Sequence, residues 1–150
     1  MNRFSSLAAV LALAAMIGCS TQVTVTPTHR ENMAAQSKVL AIAAGDLESV
    51  EHQHDAEGRG DDAVRAIVGF HAQAENFAGT VSSGHSDEKI NTEYEHLIEA
   101  YVKLKKTFPN LAADQRTKDA YTRVQHEWEQ LARSSGYSNK AYQKKVEEGK

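Results

Sequence analysis

The sequence predicts an all-α fold, an antiparallel up-down-up-down four-helix bundle. Three observations carry that expectation. Apolar residues recur at three- and four-residue spacing through four long segments, the period of a helix with one buried face. The chain of 150 residues has only two prolines, Pro27 and Pro109, and both fall between segments. Short polar or glycine-containing stretches separate the four segments, and short connections favour antiparallel neighbours. Ala, Glu, Lys, Gln and Leu are plentiful, all good helix formers.

The first helix is expected to start at Thr28, where Thr28-x-x-Glu31 has capping-box spacing. Met33, Gln36, Leu40, Ala43, Leu47, Val50 and His54 form its seam, and Gly58 and Gly60 stop it. Gly45 interrupts the run at a cost of about 1 kcal/mol relative to Ala, and with Asp46 marks a place for a bend. The second helix opens at Asp61-Asp62, acids suited to a helix start. Its stripe is Ala63, Val64, Ile67, Phe70, His71, Ala74, Phe77, Ala78 and Val81, and Ser82-Ser83-Gly84 ends it. Gly45 and Gly69 project away from these seams, which predicts local loosening and not close helix approach.

The third helix has the cleanest signals. Ser86 caps it, Asp87 and Glu88 fill its first turn, and Ile90, Tyr94, Leu97, Tyr101, Leu104 and Phe108 keep heptad spacing. Lys103, Lys105 and Lys106 sit where cations complement the helix dipole, and Pro109 closes it. The fourth helix is expected to begin near Asn110, with Thr117, Tyr121, Val124, Trp128 and Leu131 as its seam, and to end at Ser134-Ser135-Gly136. Residues 28–136 thus form the bundle, in helices of about 22 to 28 residues, or about 33 to 42 Å. Residues 137–150 read as a frayed or short helical tail, with only Tyr137, Tyr142 and Val146 to anchor it.

Ahead of the bundle, Arg3 precedes an apolar run from Leu7 to Ile17. That run is too short to span a bilayer, which takes roughly 20 residues, but it suits a cleaved export signal. It leads into Met16-Ile17-Gly18-Cys19. This stretch resembles the lipobox of bacterial lipoproteins, with Met16 where the pattern has Leu. The resemblance implies cleavage after residue 18 and acylation of Cys19, with palmitate among the acyl chains. It also implies a periplasm-facing protein anchored to the membrane. Ser20 stands where an Asp would favour inner-membrane retention, so the outer membrane is the expected destination. Each buried acyl methylene contributes roughly 0.8 kcal/mol, so two or three chains hold a protein stably. Residues 19–27 read as a tether. Cys19 is the only cysteine, so an intrachain disulfide is impossible and the core alone must stabilise the domain.

The whole chain has a formal charge of −3. Without Arg3, 16 basic residues face 20 acidic ones, for −4. This balance provides no basic face for nucleic acid.

Seven histidines invite a search for sites. His96 and His126 point outward on their helices. His71 falls on the apolar stripe, facing Tyr101 on the third helix and Tyr121 or Val124 on the fourth. Each imidazole nitrogen there needs a tyrosine or glutamate partner. At the end of the first helix, His52, His54 and Asp55 stand among Glu48, Glu51 and Glu57. Glu48 and His52 share a face at i,i+4, and His52 and Asp55 at i,i+3. Imidazole and carboxylate at such spacing suit a transition metal such as zinc, copper or nickel. A solvated acidic helix end is the plainer interpretation.

Other cofactor sites lack their signatures. No Cys-x-x-Cys-His is present, which excludes covalent haem. The Met/His pair of a cytochrome b562-type bundle would need Met33 with His126, which stands too far from the helix end and faces outward. A ferritin-like di-iron site needs Glu-x-x-His on two helices. Glu93 and His96 supply one, and Arg123 stands where the other needs Glu. No cofactor is therefore expected. Leu111-Ala112-Ala113-Asp114-Gln115 resembles the Leu-Thr-x-x-Gln motif of periplasmic helical stress chaperones and metal sensors. Ala112 replaces the Thr, and one copy is present where that family typically has two. No nucleophile elbow, phosphate loop or paired metal motif appears. The expectation is a non-enzymatic, lipid-anchored binding or structural module of the bacterial envelope with a protein partner. The alternative is a metal-binding or envelope-stress sensor protein using histidine and carboxylate side chains.

Overall fold

The computed structural model describes residues 27–54, 62–111 and 113–135, the side chains of residues 53 and 54 excepted. Four helices follow one another: α1 (Pro27–His54), α2 (Asp62–Ser82), α3 (Asp87–Thr107) and α4 (Gln115–Ser134). A single turn of 3-10 helix, Phe108–Asn110, follows α3. Among the described residues there is no strand. No described helix is long and apolar enough to cross a membrane. The leader, Cys19 and the tether up to residue 26 lie outside the described residues, as do Asp55, Gly58, Gly60, Asp61 and the tail 137–150.

Polar cross-links fix direction and register. Arg30 Nη2 meets Asp87 Oδ1 at 2.6 Å, joining the starts of α1 and α3, so these two run the same way. Asp46, past the middle of α1, meets Arg123, near the middle of α4, at 2.8 Å, and Phe108 after α3 meets Tyr121 in the first half of α4. Asn76, late in α2, donates to Glu93, early in α3, at 2.7 Å. Neighbouring helices are therefore antiparallel, as the short connections predict. Backbones pack closely in three pairs, α1 with α4, α1 with α2, and α2 with α3.

The fourth seam, between α3 and α4, is bridged by rings. Trp128 stacks on Tyr101 with centroids 4.2 Å apart and lies parallel to Tyr94 at 6.2 Å. Phe108 stacks on Tyr121 at 3.8 Å. Phe70 and Phe77 from α2 tilt against Tyr101 and Tyr94. Leu40, Phe77, Leu97 and Trp128, one from each helix, belong to a single buried cluster. Fully burying a side chain of this size contributes roughly 1.5–3 kcal/mol.

Two helix starts differ from expectation. Thr28 lies inside the first turn of α1, which is helical from Pro27; proline's fixed φ suits a first helical position. α4 begins at Gln115 and not near Asn110. Pro109 holds the chain in a 3-10 turn, and Asp114 then caps α4 by accepting from the Thr117 N–H at 2.8 Å. Ser86 caps α3 as expected, accepting from Lys89 N–H.

Gly45 also departs from expectation. α1 runs unbroken through it. A β-carbon there would stand 3.0 Å from His71 Nε2. Gly45 therefore marks a close approach of α2 to α1, made by an imidazole filling the space over the glycine. The seam drawn through large apolar residues left this flank of α1 out. Gly69 behaves as expected, with open space where its β-carbon would be.

Candidate functional site

A polar cluster lies where α1 and α2 meet. His71 Nδ1–H donates to Glu48 Oε2 at 2.7 Å. Its Nε2 lies 3.5 Å from Glu75 Oε1, one turn along α2. Glu48 Oε1 takes a second imidazole, His52 Nε2, at 3.3 Å, the pair expected from i,i+4 spacing on one face. His71 is half-buried, with 24% of its side chain exposed, while His52 is open to solvent. One carboxylate thus orients two rings, and Gly45 supplies the space for one of them.

The expected grouping of His71 with Tyr101 and Tyr121 is not assembled as a hydrogen-bonded site. His71 is bound to Glu48, whereas Tyr101 stacks on Trp128 and Tyr121 on Phe108. The reason is rotational. His71 sits at the edge of the α2 stripe and turns toward α1, while Phe70 occupies the centre facing Tyr101. Of the expected metal ligands, His52 is placed as described. The His54 side chain and Asp55 lie outside the described residues. Among the described residues, no three His, Cys, Asp or Glu side chains are grouped to hold a metal ion. Glu48, the carboxylate that His52 meets at 3.3 Å, already holds His71, so a metal at His52 would compete with that hydrogen bond.

A second polar centre went unrecognised in the sequence. Glu93 on α3 is buried, with 6% of its side chain exposed, yet it carries charge. Lys89 Nζ reaches Oε1 at 2.7 Å and Asn76 Nδ2 donates to Oε2 at 2.7 Å. The Lys89 hydrogen bond outweighs the cost of burial, and His96 at 3.5 Å adds to it, so the Glu93 carboxyl titrates below its ordinary range. The available signal was Glu93 beside the seam residue Tyr94, with Lys89 one turn earlier. Burial pushes the Tyr94 phenol the other way, upward, against a hydrogen bond to Ser135. His96 and His126 are exposed, as expected.

α2 and α3 flank an open groove of about 450 Å³. Phe70 and Ala66 lie at its apolar side, Arg65 and Lys103 at one end, and Gln73 and His96 at the other. Gly69 leaves its wall low, and the buried Gln73 Oε1 has no hydrogen-bond partner. No protein-family model matches the chain, and no curated protein or solved structure is found to match it. Of the Leu111–Gln115 stretch, Leu111 packs against the core and Gln115, the first residue of α4, donates to Asp119 at 2.7 Å.

Proposed function

We propose that this chain is a lipid-anchored, periplasm-facing binding or structural module of the bacterial envelope, carried at the outer membrane by acyl chains on Cys19. The observation that carries the reading is Met16-Ile17-Gly18-Cys19 after an uninterrupted apolar run. The four-helix bundle that follows begins by Pro27, so a short tether would set it close to the membrane surface. Binding would be to an envelope protein through the outer faces of the helices, and catalysis is not part of the proposal. The buried Glu93 and the half-buried Glu48 support a structural role for these polar groups, because each ties two helices together.

The test is chemical. Cells fed labelled palmitate should label the chain, and Cys19→Ala should abolish the label and remove the protein from the outer-membrane fraction. An unlabelled parent chain, or a variant that fractionates unchanged, would sink the anchoring. Crosslinking in cells should then capture one recurrent envelope protein.

A further inference from the structure

The outer face of α1 is unlike those of α3 and α4. From Val39 to Gly45 the sequence is Val-Leu-Ala-Ile-Ala-Ala-Gly, two turns without a polar side chain. A helix apolar on every side is normally covered on every side. Leu40, Ala43 and Ala44 are buried in the bundle, but Ile42 is 59% exposed and Val39 36%. Ala35, one turn earlier, is exposed beside them. The outward faces of α3 and α4 carry Glu95, Glu99, Lys118 and Glu129 instead.

The charges that bound this patch point to its occupant. Lys38 stands four residues before Ile42 and Asp46 four residues after it, and both are exposed. A two-fold axis beside Ile42, perpendicular to α1, brings a second α1 alongside in the opposite direction. Each position before Ile42 then meets the position equally far after it. Lys38 of one copy faces Asp46 of the other, twice, about 6 Å along the helix on either side of the axis. Asp46 uses Oδ2 for Arg123, which leaves Oδ1 to accept from the incoming lysine. A patch that complements itself under two-fold rotation is the signature of an isologous interface. We infer that the chain forms a homodimer through antiparallel packing of α1 on α1, centred on Ile42. The inference is independent of acylation at Cys19.

Both arms of the test use the purified full chain. Sedimentation of the parent chain should show a dimer at micromolar concentration. Lys38→Glu places like charges opposite one another and should weaken the dimer about tenfold or more. The swap Lys38→Glu with Asp46→Lys, made together with Arg123→Glu so that position 46 keeps an opposite charge on α4, should restore it. In a Cys19→Ala background, Ile42→Cys should form a disulfide dimer on mild oxidation. Lys38→Cys alone should not, but mixed with Asp46→Cys chains it should. Because these positions are exposed, the helical content should stay at the parent's value. A monomeric parent chain, a swap that fails to restore the dimer, or self-crosslinking by Lys38→Cys would each overturn the inference.

Discussion

His71 and Gly45 show how one residue's absence is another's position. The imidazole sits where a β-carbon on Gly45 would crowd it, and Glu48 holds it there. Gly45→Ala therefore sets two effects against each other. Helix propensity favours alanine by about 1 kcal/mol, while the ring must retreat by tenths of an ångström from a contact at 3.0 Å. The net change should be close to zero. With His71→Ala already present, Gly45→Ala should instead stabilise by about 1 kcal/mol. Denaturant unfolding of the four chains in this double-mutant cycle measures the difference; additive effects would mean the contact is inconsequential. Glu93 makes a second prediction. Its carboxyl titrates lower in the folded state than in the unfolded chain, so its contribution is fully present above the unfolded value near pH 4.5. That contribution is lost as the pH falls through the lowered folded value. Glu93→Gln should cost about 2 kcal/mol at pH 7, from charge-assisted hydrogen bonding to Lys89, and the gap from the parent should close toward pH 3. A gap independent of pH would locate the loss in packing. The sequence placed His71 at a helix interface with a tyrosine or glutamate partner; the partner is Glu48 of α1 and not Tyr101 or Tyr121, because steps of 100° leave a residue at the stripe's edge free to face either neighbour.

At the scale of elements, the seams of α3 and α4 were readable because one face is apolar and the rest is charged. Every expected α3 seam residue from Ile90 to Phe108 is buried. α1 was read less completely. Ser37, Ala44 and Glu51 are buried there and lie outside its single heptad seam. α1 packs against both α2 and α4, so its covered face is wider than one seam. Starts were readable where a cap was unambiguous, as at Ser86. They were misread where two signals competed, as between Pro109 and Asp114. Asp114→Ala tests which signal fixes the start of α4. It should destabilise by about 1 kcal/mol through loss of the bond to Thr117 N–H, while Asn110→Ala should have little effect. Comparable losses from the two would mean that the 3-10 turn contributes as much as the cap.

For the molecule as a whole, the question is whether four helices make one cooperative unit when α3 and α4 meet through rings. Trp128 is the only tryptophan, so its fluorescence reports on that seam alone. Far-ultraviolet circular dichroism reports on all four helices. Trp128 is buried in the same cluster as Leu40, Phe77 and Leu97, and among the described residues no separate cluster stabilises the α3–α4 pair. Opening the seam therefore exposes rings that also pack on Phe70 and Phe77 of α2. The two signals should change together in denaturant, as a two-state transition requires. Trp128→Ala should lower stability by about 3–5 kcal/mol, a large share of the roughly 5–15 kcal/mol typical of a domain. The loss should extend to amide protection in α1 and α2 and not stop at α3 and α4. Fluorescence that changes before circular dichroism, with α1 and α2 still protected, would show that the aromatic seam opens as a unit of its own.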